Sequence, residues 1–255
     1  MATNLIPMAG KGQRFIDAGY DVSKPLILVS GEPMIIKGIK TFPHADNWVF
    51  VCREEHIVLD HIDSEIKKIF PNSKFIPLNY VTEGQACTCL LAKDLINPED
   101  SVFIGSCDGS IVWDKKKYGE LIREDNTDII CFGFTGQNIL SLKPKSFGWI
   151  KLKDDKKTIE NVSVKVPISE NPYNDIAVVG FFYFRTARIL FEIIEDLIRN
   201  NERINHEFYI DSCINQGIKL GYNAKVFIVD QYIGFGTPEE LREYAFWEKY
   251  FPHTN

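Results

Sequence analysis

The chain has 255 residues, and 45% of them are hydrophobic, so it can bury one substantial core. Its formal net charge of −6 argues against the broadly basic surface that nucleic-acid-binding proteins use. An anionic ligand would therefore have to be met by a local cluster of Lys and Arg side chains.

The cysteines and the apolar segments bear on cellular location. The six cysteines form no CxxC pair, and no His lies at zinc-finger spacing, which argues against a zinc site and indicates reduced thiols. The first residues lack a charged region followed by an apolar one, and nowhere do 18 apolar residues run together. We therefore expect a cytoplasmic protein that does not contact a membrane.

Short apolar runs alternate with helical patterns through the first half of the chain. The predicted strands occupy residues 4–8, 48–52, 74–77, 101–105 and 128–134, and the predicted helices occupy residues 56–70 and 85–95. Strands that alternate with helices are typical of a mainly parallel sheet that is covered on both faces. The first half is therefore predicted to be α/β.

The second half has a different pattern, with strands suited to antiparallel pairing. Residues 147–153 and 158–165 flank a polar turn and predict a hairpin, and residues 176–184 form a long β-branched and aromatic run. Helices are predicted at residues 186–199, 207–216 and 238–250. We find no repeat and no flexible linker, so residues 1–255 are predicted to form a single domain.

The last predicted helix has a defined start and is rich in aromatic residues. Thr237 is suited to cap it, and Pro238 is suited to its first position. Its aromatic residues are Tyr244, Phe246, Trp247, Tyr250 and Phe251. These side chains form either a packed helix face or a contact within a homo-oligomer, and the sequence leaves both interpretations open.

The first predicted strand is followed by a turn that carries both glycines and cations. Gly10 and Gly12 let the backbone approach a phosphate closely, because no Cβ intrudes. Lys11 and Arg14 add positive charge, and Lys24 adds a third cation further on. Three cations suit a triphosphate, because charge-assisted contacts to phosphate are about twice as strong as neutral ones.

This turn alone is weak evidence for nucleotide binding, since a GxG pattern after a strand is common. Two better-defined nucleotide motifs are absent from it. The third glycine of a GxGxxG dinucleotide motif would fall at Phe15, and no P-loop GK[ST] is present. A more specific signal is needed to assign a function.

A combination of three segments is more specific than the turn. IPMAGKGQRF, SKPL and GEPM occur in this order and resemble the opening signature of the sugar-phosphate nucleotidyltransferase family, AGxGxRF followed by KPL and GxPM. The resemblance implies a GT-A-like, Rossmann-like α/β fold with a mainly parallel sheet flanked by helices and an antiparallel acceptor-binding insertion in the second half. It also implies a nucleotide-binding half at residues 1–135 and an acceptor-binding half at residues 136–255.

The same resemblance assigns residues to the nucleotide. The residues of the phosphate loop would be Met8, Ala9, Gly10, Lys11 and Gly12. The segment TEGQACT resembles the turn that faces the nucleobase and ribose, with Gly84, Gln85 and Thr88 as the contacts. Considered without the resemblance, Gly84 is also able to end a strand and Gln85 to begin a helix.

Two aspartates are candidates for the magnesium ion that this family uses. Asp108 ends the apolar segment VFIGSCD, at the position where the family holds the ion, although an isolated acid after a strand is usually a turn former. The surrounding GSCDGSIVWD is similar to a subgroup with an NxDQ-like pattern, a group that includes capsule-type cytidylyltransferases. The family's second ligand lies two residues before a GTP tripeptide, where this chain has Gly234. Asp230 is the expected substitute, unless it only caps a turn.

Four further residues match the acceptor-binding part of the family. They are Gly148 in SFGWIKL, Lys165 in VKVPIS, Gly180 in IAVVGFFYF and Glu207 at the start of a helix. Lys165 would meet the phosphate of the acceptor, unless it is an ordinary exposed lysine. Val164 stands where the family has Glu, so recognition of a sugar hydroxyl at that point does not carry over.

The resemblance implies a reaction in which the acceptor phosphate attacks the α-phosphorus of a nucleoside triphosphate and pyrophosphate leaves. A phosphate monoester is mostly dianionic near neutral pH, so no general base is required. Lys11 and Arg14 would hold the β- and γ-phosphates, and Lys24 would bridge the α-phosphate and the reacting oxygen. We therefore expect Arg14 and Lys24 to be catalytic and Mg²⁺ to be the cofactor.

The identity of the acceptor and the presence of activity both have alternatives. Sugar-1-phosphates, with CTP, UTP or dTTP as donor, are the usual substrates of the family. The two departures at Val164 and Gly234 favour CTP-dependent transfer to a phosphocholine-like or phosphoglutamine-like acceptor. A catalytically silent nucleotide-binding regulator is a further alternative, and a sugar-transferring enzyme is disfavoured by the absence of a DxD triplet.

Overall fold

The computed structural model describes residues 1–250, and a nine-stranded sheet lies at its centre. The strands are β1 (Ala2–Met8), β2 (Leu28–Val29), β3 (Glu32–Pro33), β4 (Asn47–Arg53), β5 (Lys74–Leu78), β6 (Ser101–Ile104), β7 (Gly109–Val112), β8 (Ile129–Phe134), β9 (Gly148–Leu152), β10 (Ile159–Val164), β11 (Ile176–Phe184), β12 (Ala224–Ile228) and β13 (Gln231–Gly234). The helices are α1 (Gln13–Asp17), α2 (Met34–Ile39), α3 (Glu54–Val58), α4 (Ile62–Lys67), α5 (Gln85–Leu90), α6 (Lys115–Leu121), α7 (Asn138–Leu142), α8 (Ala187–Arg199), α9 (Ile210–Lys219) and α10 (Pro238–Tyr250).

The sheet is parallel in its first-half strands and antiparallel where the second half joins. Its order is β10-β9-β11-β6-β1-β4-β5, and β8 pairs with both β11 and β12. β1 is parallel to β4 and β6, and β4 is parallel to β5. β11 is antiparallel to β6, β8 and β9. The predicted α/β fold with antiparallel strands in its second half is confirmed.

Burial on both faces explains why the central strands are almost wholly apolar. Leu5 and Ile6 of β1 are both 0% exposed, and they belong to two separate hydrophobic clusters. Successive side chains of a strand point to opposite faces, so each cluster covers one face of the sheet. Leu190 of α8 and Ile214 of α9 lie in the cluster of Leu5, so these two helices cover that face.

The carboxyl ends of the parallel strands define the edge where a ligand is expected. Leu5 of β1 is in register with Ile104, the last residue of β6. The segment after β6 therefore continues beside the end of β1, and Gly105 donates a backbone hydrogen bond to Leu5 at 3.3 Å. Open α/β sheets bind ligands in the crevice outside these strand ends.

The structure differs from the sequence prediction at several elements. The helix predicted at residues 85–95 ends at Leu90, and the one predicted at 207–216 begins at Ile210. The predicted helix at residues 56–70 is divided into α3 and α4, because His61 takes a left-handed backbone conformation with φ 53°. An antiparallel ribbon of β7 and β13 was not predicted. It brings the segment after Asp108 against the segment before Thr237, which matters for the site.

The last helix agrees closely with its prediction. It begins at Pro238, and Thr237 Oγ1 accepts the backbone N–H of Glu240 at 3.2 Å. Tyr244 packs against Phe235 with ring centroids 5.1 Å apart, whereas Phe246, Trp247 and Tyr250 are at least 50% exposed. Phe251 lies outside the described residues. Within residues 1–250, no helix combines the length and the apolar character that crossing a membrane requires.

Candidate active site

The turn after β1 exposes its cations while anchoring itself in the core. Gly12 has φ 67°, and its carbonyl accepts the backbone N–H of Phe15 at 2.9 Å. Phe15 is 1% exposed and packs in a small apolar cluster with Met34 and Phe235. The anchored turn leaves the neighbouring Arg14 exposed to solvent.

Gly12 is required for the approach of Lys24. A Cβ on Gly12 would lie 3.0 Å from the Cβ of Lys24, which is tighter than ordinary packing allows. Lys24 begins a short 3-10 helix whose next residue, Pro25, is buried. The KPL segment is therefore packed directly against the glycine turn, as the order of the sequence motifs implied.

Lys24 and Asp108 form an ion pair at the edge of the sheet. The ammonium of Lys24 donates to Oδ2 of Asp108, and the two side chains are 19% and 26% exposed. Burial alone would lower the pKa of Lys24 and raise that of Asp108. Their mutual attraction outweighs burial, so the pKa of Lys24 is raised and the pKa of Asp108 is lowered. Both groups therefore stay charged near neutral pH.

Arg14 faces the same region as Lys24 and Lys165. Its positive charge acts to lower the pKa of each of these two lysines. Such an effect requires short separations, because charges far apart are screened by solvent. Arg14 therefore lies close enough for its charge to act on both Lys24 and Lys165. The catalytic and binding roles of Arg14, Lys24, Asp108 and Lys165 stay predictions.

Lys11 and Gly10, which are also predicted to contact phosphate, lie at the same turn. Lys11 is exposed, and its charge acts on Glu55, which follows β4. Gly10 is exposed, and a Cβ there would meet no atom within 4 Å. Met8 and Ala9 are buried beneath them. Their side chains support the turn, so a contact with nucleotide would come from backbone atoms.

The turn at residues 82–88 is joined to the start of α9 by backbone contacts. A Cβ on Gly84 would lie 2.6 Å from backbone atoms of Phe208, and Gly84 has φ 128°. Phe208 donates to the carbonyl of Glu83 at 2.8 Å and accepts from Ala86 at 3.0 Å. Only glycine fits this position, and the half-buried Gln85 begins α5 beside it.

Thr88 differs from its predicted role. It is 5% exposed, and its hydroxyl hydrogen-bonds to the Thr82 hydroxyl at 2.6 Å and to the Gly84 carbonyl at 3.1 Å. A buried hydroxyl that closes its own turn is not available to a nucleotide. The structure therefore gives Thr88 a supporting position instead of the predicted contact.

Gly148 makes room for a carboxylate that the sequence interpretation did not include among the site residues. A Cβ on Gly148 would lie 2.4 Å from Oδ2 of Asp211. Burial raises the pKa of Asp211 to about 6, and the positive charge of Lys165 limits this rise. Asp211 lies in the helix-start segment that resembles the family, which is the sequence signal that pointed to it.

Lys165 is held at the end of β10 by its backbone and its side chain. Its φ is 63°, its N–H donates to the Phe147 carbonyl at 3.1 Å, and its ammonium donates to the Ser146 carbonyl. The ammonium also lies 5.7 Å from the ring centroid of Tyr209. Burial lowers the pKa of Lys165, with Asp211 opposing the change. It is therefore not an ordinary exposed lysine.

Gly180 and Glu207 differ in their surroundings, and their contact with an acceptor stays a prediction. Gly180 has φ 90° and lies where the register of β11 with β8 shifts, so its backbone conformation favours glycine. Glu207 is exposed and precedes the buried Phe208. Its charge helps to raise the pKa of Tyr209, after the larger effect of burial.

Asp230 does not lie beside Asp108. In the β7–β13 ribbon, Gly234 pairs with Gly109, while Asp230 donates its backbone N–H to Val112 at the other end. Phe235 N–H donates to the Asp108 carbonyl at 2.8 Å. Five residues of extended chain therefore separate Asp230 from this point, or roughly 17 Å at about 3.4 Å per residue. The prediction that these two aspartates share a metal ion is wrong.

A different carboxylate lies beside Asp108. A Cβ on Gly236 would lie 3.1 Å from Oδ2 of Asp108 and 3.4 Å from Oε2 of Glu240. The sequence signal for this residue was the Thr-x-x-Glu pattern at the start of α10, which predicts a helix cap. Glu240 lies near Asp108 because β7 pairs with β13, and no pattern in the sequence predicts this pairing.

Comparison with known proteins agrees with the fold. The sequence model of the family described as nucleotidyl transferase matches residues 3–246. A nucleoside-diphosphate-sugar pyrophosphorylase from Vibrio cholerae RC9 has a similar structure, with a TM-score of 0.76 and 21% identity over 94% of this chain and 98% of that one.

Two other solved structures are similar over the full length of the chain. The inositol-1-phosphate CTP transferase from T. maritima has a TM-score of 0.73 and 14% identity, over 100% of this chain and 98% of that one. A putative glucose-1-phosphate thymidylyltransferase from Bacillus anthracis has a TM-score of 0.73 and 16% identity, with the same coverage. A comparison with curated proteins finds no match.

Proposed function

The chain belongs to the nucleotidyl transferase family and is an enzyme of that type, and from this premise we propose that it transfers the NMP part of CTP, UTP or dTTP to a phosphorylated acceptor such as a sugar-1-phosphate, releasing pyrophosphate. The observation that carries the proposal is the Lys24–Asp108 ion pair beside the glycine turn. A cation and a carboxylate fixed together at the strand ends suit a triphosphate and its metal ion.

The cations would align two anions that otherwise repel each other. Arg14 and Lys11 would hold the β- and γ-phosphates, and Lys24 would hold the α-phosphate near the attacking oxygen. Because the acceptor is already a dianion, the residues have to supply orientation and charge neutralisation and need not remove a proton. The raised pKa of Lys24 supports this role, because the group stays protonated at working pH.

The side chains around Asp108 fit a magnesium ion. Its carboxylate is ionised, partly exposed and adjacent to Gly236, which has no side chain to cover it. Magnesium prefers oxygen ligands and takes only one or two carboxylates together with phosphates and waters. When bound, Mg²⁺ would neutralise charge on the phosphates, and Asp108 would hold it.

The nucleobase would lie against the turn at residues 84–85, and the acceptor would lie in the second half of the chain. Backbone groups at Gly84 and the side-chain amide of Gln85 are suited to read a base edge. Lys165 would hold the acceptor phosphate, with Gly148 and Gly180 beneath the rest of that molecule. On this proposal the nucleotide uses mainly residues 1–135 and the acceptor mainly residues 136–255.

The acceptor is proposed to be a sugar-1-phosphate, with a CTP-dependent transfer to a non-sugar phosphate as the second candidate. The structurally similar proteins are described as acting on sugar and inositol phosphates, which supports the first. Val164 is 5% exposed and belongs to the core, so it offers nothing to a sugar hydroxyl. Asp211 supports the second candidate, because a carboxylate beside Lys165 also suits an acceptor with an amine.

The experiment is a matrix of substrates read by pyrophosphate release in the presence of Mg²⁺. CTP, UTP, dTTP and GTP are each combined with glucose-1-phosphate, inositol-1-phosphate, phosphocholine and phosphoethanolamine. The proposal predicts release with at least one pair and none with the triphosphate alone. If the protein binds a triphosphate yet releases no pyrophosphate with any acceptor, the silent regulator replaces the enzyme as the better account.

A further inference from the structure

The ribbon of β7 and β13 leaves an open space beside Asp108. Gly234 is the last residue of β13, and Gly236 follows one residue later. Neither glycine has a positive φ that would explain its presence, so what a side chain would meet there is informative. That space lies next to the carboxylate of Asp108, since a Cβ on Gly236 would be 3.1 Å from Oδ2.

Glu240 fills the space that the two glycines leave. Its Oε2 lies 3.4 Å from the Cβ position of Gly236, and its Cδ lies 3.4 Å from the Cβ position of Gly234. Oxygens of Asp108 and Glu240 therefore both lie within 3.4 Å of one point, the Cβ position of Gly236. Two carboxylates from distant parts of the chain therefore meet where a side chain at residue 236 would project, and Glu240 also borders the position of a side chain at residue 234.

The first turn of α10 fixes the direction of Glu240. Thr237 Oγ1 accepts the backbone N–H of Glu240 at 3.2 Å and donates to its Oε2 at 3.2 Å. The neighbouring Glu239 points elsewhere and forms an ion pair with Arg242 at 3.2 Å. Of these two adjacent glutamates, Glu240 is the one directed toward Asp108.

The surroundings of Glu240 suit an incoming ion. It lines a cavity of about 610 Å³ together with Gly234 and Tyr232, so solvent reaches Glu240, whereas Asp108 and Lys24 do not line this cavity. A cation is already present at the neighbouring carboxylate, because the ammonium of Lys24 contacts Asp108. Two carboxylates in reach of one point match the number that magnesium usually takes from a protein.

We infer that Glu240 is the second carboxylate ligand of the magnesium ion, in place of the acid that this chain lacks at residue 234. The inference rests on the proposed function for the presence of the ion. Glu240 extends from the first turn of α10, whereas the acid that is typical of the family would lie at residue 234 in the strand before this helix. The metal site and the cap of α10 thus share one side chain.

The test measures binding of Mn²⁺, as a probe for Mg²⁺, by electron paramagnetic resonance in the presence of CTP or UTP. Glu240→Gln is expected to weaken Mn²⁺ binding by at least about 10-fold, since even indirect partners of metal ligands cost that much. Two matched variants should bind as the wild type does. Glu239→Gln removes the adjacent carboxylate, and Asp230→Asn removes the acid first expected from sequence. Thr237→Ala removes the hydrogen bond to Oε2 of Glu240 and should weaken Mn²⁺ binding less than Glu240→Gln does.

A second pair of variants separates ligation from folding. Glu240→Ala empties the space beside Gly234, and adding Gly234→Asp returns a carboxylate to it. The double variant is expected to regain most of the Mn²⁺ affinity that Glu240→Ala loses. A purely structural role for Glu240 predicts no such recovery.

The outcomes distinguish this inference from the proposed function. If the wild type binds Mn²⁺ with nucleotide and Glu240→Gln binds it equally well, the assignment of Glu240 is overturned and the activity stands. If Thr237→Ala weakens binding as much as Glu240→Gln, the effect belongs to the helix cap and the assignment is also overturned. If the wild type binds no Mn²⁺ with any nucleotide, both proposals are overturned.

Discussion

Two combinations of a lysine and an aspartate, Lys24 with Asp108 on the proposed nucleotide side and Lys165 with Asp211 on the proposed acceptor side, differ in how far each charge is neutralised. On the nucleotide side, Lys24 contacts Asp108 directly, which raises the pKa of Lys24 and lowers that of Asp108. On the acceptor side, Lys165 donates to the Ser146 carbonyl, and burial moves both pKa values the other way. Asp211 reaches a pKa of about 6.

The difference indicates that the two sides suit different ligands. The nucleotide side is a fixed ion pair that resists titration, which suits a triphosphate and metal ion of constant charge. The acceptor side holds two buried ionisable groups, and the phosphate of a bound ligand would stabilise the positive charge of Lys165. The following substitutions and titrations sharpen or break this contrast.

The largest effect is expected from removing the cation of the fixed pair. Lys24→Ala should lower kcat/KM for pyrophosphate release by about 10³-fold or more, by analogy with cations lost from other phosphoryl-transfer sites. Asp108 would then also lack its partner. Lys37→Ala, which removes an exposed lysine of α2 that contacts Ser30, is the control and should leave the rate near that of the wild type. Equal rates in both variants would remove Lys24 from the reaction.

The next effect concerns the space that Gly148 leaves on the acceptor side. Gly148→Ala would place a methyl group 2.4 Å from Oδ2 of Asp211, so we expect a loss of about 1 to 3 kcal/mol in unfolding free energy and a higher KM for the acceptor. Gly119→Ala is the control, because a Cβ there meets nothing within 4 Å. Denaturant unfolding and acceptor titration measure both, and an unchanged acceptor KM would contradict the placement.

The pH dependence of stability should have opposite signs at two aspartates. The folded pKa of Asp211, about 6, lies above the unfolded value, so the folded state holds this proton more tightly. Stability is therefore lost as the pH rises from about 4 to about 6, on the order of 2 kcal/mol. Asp211→Asn should abolish this loss, as measured by unfolding at each pH.

Asp155 provides the contrasting titration. Hydrogen bonds from Thr158 and Lys157 lower its pKa to about 2, so its contribution is present above the unfolded pKa and lost as the pH falls toward 2. Asp155→Asn should lower the free energy of unfolding at neutral pH and leave it unchanged in acid. If stability changed with pH in the same direction at both aspartates, Asp211 would not be buried in the way described.

The smallest effect is expected at the turn of residues 82–88, beside which the nucleobase is proposed to lie. Thr88→Val keeps the shape of the side chain and removes the hydroxyl that bonds Thr82 and the Gly84 carbonyl, at a cost of about 1 kcal/mol in unfolding free energy. The KM for the triphosphate should change little, because the hydroxyl is buried. A large rise in this KM with unchanged stability would restore Thr88 as a nucleotide contact.

The nucleotide side was predictable because its parts follow one another along the chain. A strand, a glycine turn and a KPL segment within about 25 residues fix their own proximity, and Asp108 follows an apolar strand of the same sheet. The predicted helix at residues 56–70 is interrupted at His61. This break was not predicted, because a left-handed backbone conformation at a His has no strong sequence signal. Local pattern therefore predicts the elements better than their exact limits.

The proposed partner of Asp108 was less predictable, because its position depends on pairing between distant segments. Asp230 was chosen by its position near GTP in the sequence, yet the register of β13 with β7 carries it to the far end of the ribbon. Glu240 was not among the candidates chosen from sequence. Asp211 likewise acquires its environment from Gly148 on a different strand. Contacts of this kind follow from register, which periodicity alone does not determine.

The most direct measurement of the central claim is a crystal structure of the protein with Mg²⁺ and the nucleotide-linked product of its reaction. The account predicts the phosphates of the product between Arg14 and Lys24, with the ion on Asp108 and Glu240. A product bound outside the cleft, with the Lys24–Asp108 pair undisturbed and no ion beside it, would contradict the account.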